Sequence, residues 1–190
     1  IRKLKPRSKL EFGQLDLGDL ASIHAFAQKF SAEHAQLNLL CNNAGVLALP
    51  LRRTKDGFEM QLGTNTLGHF ALTGLLLPAL QATAGARVAT MSSGFHKRCK
   101  GMRFDDLNWN QGVYKKWPAY DQSKLANLLF TFELQRRFEK HGVAAISVAG
   151  HPGYAATNLQ FAGPEMEGSG IGKMIMRFAN TYIAQSAPQG

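Results

Sequence analysis

Short apolar runs of strand length alternate along this chain with stretches of helical length, and each apolar run stops at a polar or glycine-containing cluster. Residues 10–17 read as a first strand. Asp19 follows Gly18 where a helix N-cap belongs, and Leu20, Ile23, Phe26, Ala27 and Phe30 then recur at helical spacing on one apolar face. Residues 37–41 are a compact apolar run stopped by Asn42-Asn43-Ala44-Gly45. After a loop at 46–56, residues 58–82 read as one helix, apolar nearly all round and so buried on several sides, ending before Gly85. Residues 87–93 form the next strand, stopped by Ser92-Ser93-Gly94. A long polar connection at 94–118 leads to a strong helix at 119–140, closed by His141-Gly142. Residues 143–149 are the last strand and run into Gly150-His151-Pro152-Gly153.

Strands alternating with helices of this length call for an α/β fold, a parallel sheet with helices on both faces. The continuously apolar strands agree with that placement. A length of 190 residues suits one domain, spanning 1–190. In an open α/β sheet, ligands bind beyond the carboxyl ends of the strands. Asp16, Asn42-Asn43, Ser92-Ser93 and His151-Pro152-Gly153 each follow an apolar run, which puts four polar clusters on one sheet edge.

Composition removes several other classes. An apolar content of 45% is too high for a disordered chain. The net charge of +9 comes from 22 Lys and Arg against 13 Asp and Glu, with basic clusters at Arg2, Lys3, Lys5, Arg7 and Lys9 and at Lys97, Arg98 and Lys100. No aromatic residues interleave with these clusters to stack bases, so nucleic acid is not an expected partner. The longest nearly apolar run, 70–80, is broken by Thr73, Gly74 and Pro78. It falls short of the ~20 residues of a membrane span, so no membrane association is expected. Two cysteines make no disulfide scaffold, which suits a reducing, cytoplasmic compartment. Cys41 reads as a buried apolar filler and Cys99 as an exposed thiol. Neither His96 nor His151 has a second ligand at metal spacing, so no metal is expected.

The most specific chemical signal is Tyr120-Asp121-Gln122-Ser123-Lys124 on a helix. Tyr and Lys at i and i+4 share a helix face. For a tyrosine to exchange a proton at neutral pH its pKa must fall by roughly 3 units, and a neighbouring ammonium favours the phenolate. Tyr120 could then act as general acid or base on an alcohol or carbonyl oxygen. Ser93, at the end of the preceding strand, is the candidate to orient that oxygen.

Together these segments resemble the short-chain dehydrogenases/reductases. The resemblance rests on Asn42-Asn43-Ala44-Gly45 after a strand, Asn65-Thr66-Leu67-Gly68-His69-Phe70 in the following helix, Ser92-Ser93, Tyr120-x-x-x-Lys124 and Pro152-Gly153-x-x-x-Thr157, all in the family's order. The connection with Asp105-Asp106-Leu107-Asn108-Trp109 and the run from Ser123 to Phe130 look most like its retinol-dehydrogenase-like branch, and His151-Pro152-Gly153-Tyr154 resembles bacterial members. The resemblance implies a Rossmann-like doubly wound parallel sheet and hydride transfer between NAD or NADP and a small hydrophobic alcohol, aldehyde or ketone. It implies that Asn65 holds a water in a proton relay through a helix irregularity. Ser93 orients the substrate oxygen and Tyr120 is the acid/base. Lys124 lowers the tyrosine's pKa and binds the nicotinamide ribose. It implies further that Asp16 contacts the adenine, with Leu17 beside it. Asn42, Ala44 and Gly45 line the cofactor ribose, and Pro152, Gly153 and Thr157 cradle the carboxamide.

The family also opens with a strand and a glycine-rich turn that meets the pyrophosphate. No such turn stands in this sequence. The expectation is therefore an incomplete domain, lacking the first βαβα portion and the final strand. A catalytically inactive relative or binding module without that turn is the alternative. Residues 154–190 are expected to serve as a substrate loop or lid, with Ile171, Ile175, Phe178 and Tyr182 at helical spacing. The resemblance leaves monomer and homo-oligomer equally open.

Overall fold

The computed structural model describes residues 9–153. The basic residues at 2–7, Thr157 and the 154–190 lid region lie outside the described residues. Three strands, β1 (Leu39–Asn42), β2 (Ala86–Met91) and β3 (Ala145–Gly150), form a parallel sheet in the order β1-β2-β3. Asn42 is level with Thr90, and Met91 with Gly150, so the carboxyl ends of neighbouring strands lie together. Each parallel step is made by a helical crossover, as this pairing requires.

Residues 10–17 are not a strand: they run as irregular chain into a turn at Leu17-Gly18. Apolar patterning alone does not make a strand; a ladder partner is needed, and among the described residues none lies beside this segment. The helix that follows, α1 (Leu20–Glu33), starts where the sequence places it. Asp19 is extended, and its carboxylate accepts from the backbone N–H of Ala21 and Ser22.

The helix expected over residues 58–82 is broken into pieces. These are α2 (Met60–Leu62), a π-turn (Gly63–Leu67), α3 (Gly68–Leu75) and α4 (Leu77–Gln81). Leu76 leaves helical geometry just before Pro78, which sits in the first turn of α4 and has no N–H to continue the ladder. The long helix α5 (Lys116–Lys140) starts a little earlier than the sequence suggests.

Alternate strand residues face the helices. Val88, Ala86 and Ala145 pack with Leu80 and Phe138, and Leu40 lies against Ile23, Ala27, Leu72 and Leu76. The opposite face carries Leu39, Cys41, Arg87, Ile146 and Val148, all exposed. Cys41 is therefore not a buried filler, because its place in the alternation points it away from the helices. No helix among the described residues is long and apolar enough to cross a membrane.

A buried polar knot fixes α2. Glu59, fully buried, accepts from the N–H groups of Gln61 and Leu62 and from the Tyr114 hydroxyl at 2.8 Å. Gln61 accepts from Ala48 N–H at 2.7 Å and donates to Tyr114 and to Lys116 O. Burial, and then the Glu59 carboxylate, hold the Tyr114 phenol well above its ordinary pKa, so it remains a donor. Replacing Glu59 by Ala strands three buried donors. Glu59→Ala is expected to lower unfolding stability by about 3 kcal/mol in urea titrations, and Glu59→Gln by less.

Candidate active site

The π-turn at Gly63–Leu67 is flanked by two glycines at positions of close approach. A Cβ on Gly63 would meet Thr54 Cγ2 at 2.4 Å, and one on Gly68 would meet the Leu17 carbonyl at 2.5 Å. Asn65 sits in this turn, fully buried. Its Oδ1 accepts from Val46 N–H at 2.7 Å, and its Nδ2 donates to Val46 O at 3.0 Å and to Ser123 Oγ at 2.9 Å. The side chain thus ties the loop after β1 to α5. Its backbone carbonyl lies 3.0 Å from His69 Nδ1. His69 is buried, which lowers its pKa, with the Asn65 bond opposing and the Lys124 charge adding to the fall.

Tyr120 and Lys124 lie on one face of α5, as their spacing requires, with Lys124 Nζ 5.6 Å from the centre of the phenol ring. Ser93 caps the short 3₁₀ turn Gly94–Arg98, its hydroxyl accepting from Phe95 N–H at 3.3 Å, and the same hydroxyl acts on the Tyr120 phenol to lower its pKa. Lys124 Nζ donates to Met91 O at 3.1 Å, a carbonyl that Asn127 Nδ2 also reaches at 3.0 Å. Ser92 instead turns inward and donates to Lys124 O.

The electrostatics depart from the sequence expectation. Burial pushes the Tyr120 phenol above its ordinary pKa of 10, the Ser93 bond opposes this, and the Asp121 carboxylate adds to the rise. Lys124 does not draw it down here, because the amine is itself buried and aimed at Met91 O. Desolvation lowers the Lys124 pKa from 10.5 to about 8.

The other expected residues are placed as follows. Gly45 is held against Asn65 and Lys124, and a Cβ there would meet Asn65 Oδ1 at 2.8 Å and lie 3.7 Å from Lys124 Nζ. Only glycine leaves that backbone open to a ligand. Asn42 faces the core. It donates to Thr73 Oγ1 at 3.0 Å while its buried Oδ1 has no partner. Ala44 is exposed beside it. Asp16 is exposed and closes its own turn by accepting from Gly18 N–H at 2.8 Å. Leu17 rests against Gly68. Pro152 and Gly153 end the described chain, with Gly153 N–H donating to His151 Nδ1. At the surface Glu11, Glu33 and His34 bring ligand atoms within 4.8 Å of one another, but Lys9 already pairs with Glu11 at 2.5 Å.

Sequence reasoning missed the surroundings of the phenol. Phe95 and Trp117 meet Tyr120 edge to face, with ring centres at 6.0 and 6.4 Å, and Leu47 and Ala48 complete an apolar wall. Trp117 also lines an open cavity of about 450 Å³ with Pro50, Leu51 and Pro118. Their only sequence signal was an aromatic residue three before Tyr120 and another two after Ser93.

Lys124 carries a testable pH dependence. Below pH 8 both folded and unfolded chains hold its proton, and the folded state bears the full cost of a buried ammonium. Between pH 8 and 10.5 the unfolded chain binds more protons, so this contribution to stability rises with pH. Met91 O keeps Asn127 as a donor when the lysine is removed. Lys124→Met is therefore expected to be more stable than the parent at pH 7, by at most about 3 kcal/mol, in chemical denaturation. The difference should fade as pH rises through that window.

The short chain dehydrogenase profile matches residues 1–102. Retinol dehydrogenase 13 of Homo sapiens is 49% identical over 145 residues, covering 76% of this chain and 43% of that protein. The chain thus spans about half the length of the curated relatives it matches. A solved structure from Mycobacterium Paratuberculosis is 49% identical, with a TM-score of 0.71 over 80% of this chain and 53% of the other. A short chain dehydrogenase/reductase from Burkholderia phymatum, solved in complex with NAD, shares the fold at TM-score 0.68 and 17% identity, covering 96% of this chain and 65% of that one. With its parallel sheet and the order of its strand-end clusters, the chain belongs to the short-chain dehydrogenase/reductase family and is retinol-dehydrogenase-like.

Proposed function

We propose that this chain carries the proton-transfer centre of an oxidoreductase that moves a hydride between NAD or NADP and a small hydrophobic alcohol, aldehyde or ketone. The observation that carries this reading is the buried Tyr120 phenol, acted on by the Ser93 hydroxyl just beyond the carboxyl end of β2, with Lys124 one turn further along α5 and its Nζ 5.6 Å from the phenol ring centre. A nicotinamide dinucleotide, when bound, supplies or accepts the hydride. The relative solved with NAD supports that class of cofactor. So does the bare backbone at Gly45, where a side chain would collide with Asn65. Asp16, Leu17, Asn42, Ala44, Gly45, Pro152, Gly153 and Thr157 are the residues proposed to contact it, along with Lys124 and Tyr120.

In the reducing direction, Ser93 and Tyr120 bind the carbonyl oxygen together. The phenol holds its proton because it is buried, and it donates that proton to the oxygen as negative charge develops there. In the oxidising direction the same phenol must first lose its proton. A positive charge held beside the phenol would favour the phenolate. Asn65 holds the Gly45-Val46 backbone that faces the lysine. The apolar wall of Leu47, Phe95 and Trp117 favours an apolar substrate.

The test is consumption of NADH and NADPH with a panel of apolar aldehydes and ketones, followed by nicotinamide absorbance in the full-length protein. Tyr120→Phe is expected to cut turnover by about 10³-fold or more while cofactor affinity, read by fluorescence quenching, is kept. Turnover within tenfold of the parent would remove Tyr120 from the acid/base role.

A further inference from the structure

Arg98 and Asp121 have no place in the chemistry above, yet Asp121 follows Tyr120 in the chain and Arg98 packs on Phe95 and Trp117, the two rings that meet Tyr120. Asp121 follows Tyr120 on α5 and is only 4% exposed. One carboxylate oxygen meets Arg98 Nε at 3.1 Å, and the other is buried with no partner. Arg98 closes the 3₁₀ turn that Ser93 caps. Its guanidinium lies 4.7 Å from the centre of the Phe95 ring and 5.8 Å from that of Trp117. One side chain therefore touches its own turn at Phe95 and the facing helix at Trp117 and Asp121. The edge-to-face contact between Phe95 of the turn and Tyr120 of α5 crosses the same seam, with Ser93 just before the turn and Asp121 just after Tyr120.

A buried carboxylate is costly unless it is paired. Here it is half paired, and its charge reaches the phenol of the residue before it. We propose that Arg98 and Asp121 are positioning residues for the reaction: Arg98 clamps the Ser93 turn to α5, and the ion pair sets the charge that the Tyr120 phenol feels. A lysine in place of Arg98 lacks the broad guanidinium that lies near two rings while donating to a carboxylate. Among the described residues the charged and titratable groups around the phenol are few. Asp121 and Lys124 come from α5, and Arg98 and His96 come from the turn, His96 being engaged with the Ser93 carbonyl. Leu47 and Ala48 bring apolar side chains and no charge. Burial remains the main reason for the raised phenol pKa, and Asp121 adds to it.

The proposal rests on Tyr120 being the acid/base, but its test does not need turnover. The phenol can be titrated by NMR in protein labelled at tyrosine Cζ, the Tyr120 signal being assigned with Tyr120→Phe. Asp121→Asn keeps the shape and removes a negative charge, so the Tyr120 titration should move down by about one unit. Arg98→Met leaves the carboxylate uncompensated and frees the Ser93 turn, so it should move up by about as much. Movement in opposite directions supports the proposal. It is overturned if either titration stays put or if both move the same way, since a pair that only holds the turn in place would do that. Should Arg98→Met fail to fold, Asp121→Asn decides alone, a downward shift supporting the proposal and any other result overturning it.

Discussion

The Asn65 side chain holds the site together. It satisfies both the N–H and the C=O of Val46 and donates to Ser123, so one buried amide joins the loop after β1, the π-turn and α5. Ser123 in turn donates to Tyr120 O, and Thr66 reaches Ser123 O and Asn127. The backbone under the phenol and the glycine facing Lys124 are therefore set by one connected network. The bonds to Ser123, Asn127 and Tyr120 O are buried, where an unmade one costs about 1–3 kcal/mol. Precision at the reacting atoms comes from this interior lattice rather than from the exposed groups.

The same burial that builds the lattice shapes its proton chemistry. Lys124 and Tyr120 are both desolvated, and desolvation moves an amine down and a phenol up. Left alone, the pair favours the neutral phenol.

Much of this was legible in the sequence. Helical spacing alone puts Tyr120 and Lys124 on one face, and the alternation of apolar runs gives the parallel sheet with its polar carboxyl edge. What failed did so for three-dimensional reasons. Residues 10–17 have strand-like apolar content but no ladder partner among the described residues. The break-up of the 58–82 helix depends on how Gly63 meets Thr54 and Gly68 meets Leu17, contacts that are distant in sequence. The direction of the Tyr120 shift depends on where the lysine amine points, which spacing does not give. Arg98 and Asp121 were visible only as one member of a basic cluster and a filler between Tyr120 and Lys124.

The π-turn carries a further consequence. It holds one residue more than a regular helical turn, and each residue rotates a helix by about 100°. Deleting a single residue such as Thr64 would give a more ordinary helix. The halves on either side, including the Glu59–Gln61 knot, would stay close to their present phase, because the wide turn already takes up the extra residue. What would be lost is the local widening that carries Asn65, and with it the bonds to Val46 and Ser123. An insertion in the regular turns of α3, with no such widening to take it up, would instead swing everything before it by more than a quarter of a revolution.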